Sequence, residues 1–104
     1  MKIFRKLVRD NMPEIMASQG KHLKTRILDD AEFLTALENK LLEEVQELRE
    51  ERMNKKDKVA YIHEILDTYM SAQKFSRDEI EKIQSEQNRT KGGFAKKLFL
   101  EGEE

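Results

Sequence analysis

The sequence predicts an all-α helix bundle with two long central helices. Three observations lead there. The 104 residues contain four Gly and one Pro, and none of these lies between Lys21 and Lys91. A β-sandwich or barrel needs a turn signal about every 8–12 residues, which such a stretch cannot supply. Apolar residues recur at helical spacing, as in Leu34, Leu37, Leu41, Val45 and Leu48. Residues that begin and end helices also stand at the edges of these stripes.

Taken in order, Asp10 and Asn11 precede Met12-Pro13, and Pro is tolerated in a first helical turn. A short helix from about Asn11 to Gln19 follows, with Gly20 at the C-terminal cap. Residues 21–28 lack a stripe and read as an extended connection. Asp29 and Asp30 are N-cap candidates for a long helix to about Met53. Asn54-Lys55-Lys56-Asp57 is a polar break, and a second long helix runs from about Lys58 to Lys74. Ser76-Arg77-Asp78-Glu79 is a capping box that opens a helix to about Asn88. Lys91-Gly92-Gly93-Phe94 reads as a loop, and Ala95 to Leu100 as a short apolar tail segment. The length fits a single domain spanning residues 1–104.

The helix at 58–74 is apolar on most of its circumference, through Val59, Ala60, Tyr61, Ile62, Ile65, Leu66, Tyr69, Met70 and Ala72. Such a helix is buried on most sides. In a chain this short that implies a second subunit, so a bundle completed by dimerisation is expected.

Composition excludes several classes. No apolar run exceeds four residues, Val59 to Ile62, so neither a membrane span nor a secretory signal is expected. There is no Cys, which removes disulfide scaffolds, zinc-thiolate sites and thiol catalysis and points to the cytoplasm. The net charge of −1 conceals a sorted distribution. Residues 1–28 carry +5, residues 29–51 carry −7, residues 52–87 are neutral, residues 88–97 carry +4 and the last seven carry −3. The acidic centre and near-neutral total argue against nucleic acid as the partner.

Two acidic motifs sit on the long helices. In Glu43-Glu44-Val45-Gln46-Glu47, helical geometry puts Glu44 and Glu47 on one flank of the apolar stripe, with Lys40 beside them and Glu43 turned away. In Glu64-Ile65-Leu66-Asp67 the i, i+3 spacing again puts two carboxylates on one face. Two acids in a helix built for burial are costly unless a cation compensates. Four carboxylates on two helices suit the oxygen preference of Mg²⁺ or Mn²⁺. The plain alternative is that these acids pair with Lys40 or Arg49, or face water. His22 and His63 are isolated, and Phe94 reads as a docking side chain.

Glu-Glu-x-x-Glu, sixteen intervening residues and then Glu-x-x-Asp resembles the signature of the all-α, MazG-like nucleoside triphosphate pyrophosphohydrolases. The flanks narrow this to the phosphoribosyl-ATP pyrophosphohydrolase-like branch. Lys6-Leu7-Val8-Arg9-Asp10-Asn11-Met12-Pro13-Glu14-Ile15 is similar to that branch's opening Lys-Leu-Val-Arg-Asp-Lys-Ile-Pro-Glu-Ile. Lys40-Leu41-Leu42-Glu43-Glu44 resembles its Lys-Leu-x-Glu-Glu, and Arg89-Thr90-Lys91-Gly92-Gly93-Phe94 its Arg-Gly-Gly-Phe. Two departures stand out: Asn11 replaces a Lys, and Thr90-Lys91 separates Arg89 from the glycines.

The resemblance implies Mg²⁺ (or Mn²⁺) ligands at Glu44, Glu47, Glu64 and Asp67. It implies hydrolysis of a nucleoside triphosphate to the monophosphate and pyrophosphate, as in nucleotide-pool house-cleaning. Glu47 is the first candidate for general base and Glu43 an accessory. Lys6, Arg9, Lys40, Arg89 and Lys91 are candidates to bind phosphate, with Gly92 and Gly93 letting backbone N–H groups approach an anion. The competing reading is a catalytically silent, dimeric helical interaction or regulatory module.

Overall fold

The computed structural model describes residues 5–50, 52 and 54–104. Among the described residues it is all-helical, with 61% of them in four helices and no strand. The helices are α1 (Met12–Ser18), α2 (Asp30–Leu48), α3 (Lys55–Gln73) and α4 (Arg77–Lys91). The chain divides into two compact units, residues 1–74 and 75–104.

In the first unit, Pro13 opens α1, and Gly20, at φ +78°, closes it. The Gly20 N–H donates to the Ala17 carbonyl and the Lys21 N–H to that of Met16, which satisfies carbonyls the helix leaves open. A reciprocal capping box starts α2. The Asp29 carboxylate accepts from the Glu32 N–H at 2.8 Å, and the Glu32 carboxylate from the Asp29 N–H at 3.4 Å. Arg26 also clasps Glu32, at 2.8 Å. That guanidinium, with the capping hydrogen bond, holds the Glu32 carboxyl at about 2.

The second helix ends at Leu48, short of the expected Met53, which lies outside the described residues. Lys55 Nζ donates to the Leu48 carbonyl at 2.6 Å and so caps this end from α3. The third helix begins at Lys55 rather than Lys58. The Asn54 side chain accepts from the Asp57 N–H, making the expected polar break an N-cap. Lys74, at φ +62°, ends α3 in a left-handed conformation.

Helices α2 and α3 pack as an antiparallel hairpin. Contacts at Leu48–Lys55, Glu44–Lys58 and Glu38–Tyr69 fix the register. Between them lie Leu37 and Ile65, 4% and 5% exposed. Each is worth about 1.5–3 kcal/mol in burial. The apolar stripe of α2 is rotated from its expected orientation. Leu37 is buried and Leu34, Leu41 and Leu48 half-buried, whereas Val45 is 43% exposed and Glu44 is buried in its stead. The third helix is buried along one side only; Val59 and Leu66 remain 45% and 42% exposed.

In the second unit, Ser76 caps α4 by accepting from the Glu79 N–H, as the capping box predicts. This helix extends past Asn88 to Lys91 and takes in Arg89 and Thr90. The Thr90 hydroxyl donates back to the Glu86 carbonyl, and cationic Arg89 and Lys91 suit the negative end of the helix dipole. Gly92 follows at φ +79°, and the side chains of Phe94, Leu98, Phe99 and Leu100 are exposed.

Candidate functional site

The hairpin seam carries charge as well as apolar side chains. Glu44 is 3% exposed and faces Lys58, which is 8% exposed. The Lys58 Nζ donates to Glu44 Oε2 at 3.0 Å and to Glu47 Oε2 at 2.7 Å. Lys40 Nζ lies 3.9 Å from the other Glu44 oxygen and 3.8 Å from Glu43 Oε1. The expected pairing of Glu44 and Glu47 on one flank, with Lys40 beside them, is therefore present. Glu43 is half-buried and leans toward Lys40.

A ring organises the cations. Tyr61 on α3 has Arg9 at 5.0 Å, Lys58 at 5.5 Å and Lys40 at 5.6 Å from its ring centre, all within cation–π range. Arg9 comes from the segment before α1. Two of the expected phosphate-binding residues, Arg9 and Lys40, thus meet at one side chain beside the acidic pair.

The electrostatics follow from burial. Loss of water, followed by the hydrogen bond shared with Glu47, pushes the Glu44 carboxyl up, while Lys58 and Lys40 pull against that rise. The same bond from Glu44, and then the Lys58 ammonium, hold Glu47 down at about 2. Glu47, followed by Glu44, raises Lys58 above its ordinary value, with burial opposing. The two carboxyls titrate as a pair rather than singly. Among the described residues no buried side-chain nitrogen or oxygen lacks a hydrogen-bond partner.

The second acidic pair lies elsewhere. Glu64 is exposed and accepts from the Thr68 hydroxyl at 3.1 Å; Asp67 is half-buried. Relative to Lys58, Glu64 lies about 120° round the helix and about 9 Å along it, and Asp67 about 180° round. Among the described residues no three His, Asp or Glu gather closely enough to hold a metal ion. The four-carboxylate set implied by the motif is thus not assembled: Glu44 and Glu47 converge, and Glu64 and Asp67 do not join them. The register is the reason, because it sets Lys58 rather than Glu64 opposite Glu44.

Lys6 is exposed. In the second unit, the Arg89 guanidinium donates to the Glu86 carboxylate one turn back, and Lys91 is exposed. A Cβ placed on Gly92 or Gly93 would meet no atom within 4 Å, so only the positive φ of Gly92 calls for glycine.

Sequence reasoning missed Lys58 and Tyr61. The signal was a lysine at the α3 position seven residues before Ile65, on the same buried face. A cation there only makes sense opposite an acid.

No protein-family model matches the chain, and no solved structure does. A curated relative, an uncharacterized protein of Mycolicibacterium smegmatis (strain ATCC 700084 / mc(2)155), is 49% identical over 43 residues. Those residues are 41% of this chain and 44% of the relative, so the similarity spans less than half of either protein.

Proposed function

We propose that this protein is a Mg²⁺-dependent hydrolase, acting in the cytoplasm as a homodimer or higher homo-oligomer. It would cleave a nucleoside triphosphate, or a phosphoribosyl-ATP-like nucleotide, to the monophosphate and pyrophosphate. The ordered motifs suggest the reaction. The observation that carries it is the buried Glu44, which with Glu47 converges on a single cationic nitrogen. Two carboxylates fit Mg²⁺, which is commonly held by one or two of them together with substrate phosphates. Bound there, Mg²⁺ (or Mn²⁺) would supply charge neutralisation, polarise the α-phosphoryl group and lower the pKa of a water.

The chain's own residues do the rest. Glu44 and Glu47 would hold the ion in place of the Lys58 ammonium they now share. Arg9 and Lys40, held around Tyr61, bind the leaving pyrophosphate. Water adds to the α-phosphorus, the bond to the bridging oxygen breaks, and a carboxylate takes the water's proton. Glu47, which with Glu44 would be taken up in holding the ion, serves as an anchor. Glu43, which Lys58 does not engage, takes the base role.

The test is a nucleotide panel with Mg²⁺, assayed for pyrophosphate. Release is expected with at least one nucleotide, abolished by EDTA and by Glu44→Gln. Orthophosphate as the first product, or no turnover on any nucleotide, overturns the reading. Glu64→Gln with Asp67→Asn then separates a four-carboxylate site, which loses turnover, from a two-carboxylate site, which keeps it.

One observation favours the second reading, a silent helical interaction or regulatory module. Lys58, together with Lys40, already offsets the charge of Glu44 and Glu47 without an added ion. A silent module keeps the same melting temperature with Mg²⁺ or EDTA, whereas the enzyme is stabilised by the ion it binds.

A further inference from the structure

The three cations around Tyr61 are not held alike. Lys58 is spent on Glu44 and Glu47, at 3.0 and 2.7 Å. Lys40 is not. Its side chain is 12% exposed, yet its Nζ stands 3.8 Å from Glu43 and 3.9 Å from Glu44, beyond the length of a charge-assisted hydrogen bond. Its N–H donors are therefore not spent on those acids. Arg9 is exposed and carries five donors in a rigid fork suited to phosphate. The contact that ties Arg9 to the hairpin is the face of the Tyr61 ring, 5.0 Å away.

The segment that carries Arg9 has little core of its own. Helix α1 buries no residue. Val8 and Ile15 are 40% and 46% exposed, and Leu7, Met12, Pro13 and Met16 are only half-buried. Segments with so few buried contacts open locally at low cost. Lys40, by contrast, stands on α2 inside the packed hairpin. An anion that needs both cations must bear the cost of ordering the looser one, unless that one is oriented beforehand. Tyr61 supplies the orientation. It is half-buried on α3, one turn after Lys58, and the ring that holds Arg9 also has Lys40 at 5.6 Å. Both cations thus stand around one ring, where a single polyphosphate can touch both.

We propose that Tyr61 is a positioning residue. Its ring is the seat that holds Arg9, and with it the segment running into α1, beside Lys40, so that the two cations grip one polyphosphate together. The ring acts through the cations rather than on the reacting atoms. Binding in turn draws residues 7–18 down onto the hairpin, because the anion bonds to a cation on each side. The proposal rests on the hydrolase reading for the identity of its ligand. Its test does not, since pyrophosphate binding and segment ordering are read without turnover and without metal.

The experiment titrates the full chain with inorganic pyrophosphate in EDTA, by calorimetry and by hydrogen exchange across residues 7–18. Pyrophosphate is expected to bind the wild type and to slow that exchange. Tyr61→Leu keeps an apolar side chain in the seam but removes the π face. It is expected to weaken binding about 3- to 30-fold, the range that cation–π contacts from exposed to desolvated correspond to, and to abolish the slowing. Tyr61→Phe keeps the ring and is expected to keep both readouts. Arg9→Gln, at an exposed site outside every helix, leaves the hairpin intact and is expected to abolish the slowing as well. In the Arg9→Gln background Tyr61→Leu should cost less than it does alone, because the contact with Arg9 is already gone. A wild type that binds no pyrophosphate overturns the proposal. So do wild-type readouts in Tyr61→Leu, slowed exchange that survives Arg9→Gln, Tyr61→Phe as weak as Tyr61→Leu, and full additivity of the two losses. Absence of turnover on every nucleotide sinks the hydrolase reading alone and leaves these outcomes standing.

Discussion

Lys58 brings a positive charge into a seam otherwise built from Leu37, Ile65 and aliphatic stems. Its two short bonds to Glu44 and Glu47 make the three side chains interdependent. Replacing a buried ion pair by apolar groups is often neutral, but removing one partner strands a charge and costs about 3–5 kcal/mol. Lys58→Met is therefore expected to destabilise the fold by that amount in urea denaturation. Glu44→Gln in the Lys58→Met background should recover much of the loss. The pH dependence follows from the direction of the shift. The Lys58 ammonium is held above 10.5 in the folded state, so its contribution is complete below pH 10.5 and is lost as pH rises through the folded value. Lys58→Met is expected to remove that alkaline decline. The Glu44–Glu47 pair acts at the other end: the lowered Glu47 contributes above pH 4.5 and loses that contribution toward about 2, while the raised Glu44 opposes it. At this scale the sequence was half legible. Wheel geometry placed Glu44, Glu47 and Lys40 together, because all three lie on one helix. It could not place Lys58 opposite them, because that depends on how α2 and α3 slide along one another, and nothing local to either helix sets that.

At the scale of elements, helices were more legible than their ends. Asp29, Gly20 and Ser76 mark boundaries through their own chemistry, and all three caps form. The shared boundary of α2 and α3 moved because its determinants are mutual: Lys55 caps Leu48 from the far side of the connection, and Asn54 caps the helix that Lys55 begins. The end of α4 moved because Thr90 and Arg89 reach back to Glu86, a local bond that apolar periodicity does not encode. The reciprocal box at Asp29 and Glu32 gives the clearest test at this scale. Asp29→Ala is expected to cost about 1 kcal/mol in thermal denaturation, and Asp29→Ser to restore most of it. The effect should persist in the Lys58→Met background, since the two sites share no bond.

For the whole molecule, the long stretch without Gly or Pro and the helical spacing of apolar residues set the class, and the all-helical structure agrees with it. The division into units at Lys74 was not legible, since neither Gly nor Pro marks it. A lysine in a left-handed conformation does so instead. The interior cation also has a use beyond holding two helices together. Amine-acylating reagents attack only the neutral, accessible form of lysine. Lys58 is buried and its proton is held tightly, whereas Lys55 and Lys56 beside it are exposed. Under brief acylation followed by peptide mass mapping, Lys55 and Lys56 are expected to be modified while Lys58 is spared. As urea is raised, the mass shift at Lys58 should appear at the same midpoint as the loss of helical signal. The folded chain thus carries its own chemical clock, one lysine that keeps time by reacting only while the hairpin is open.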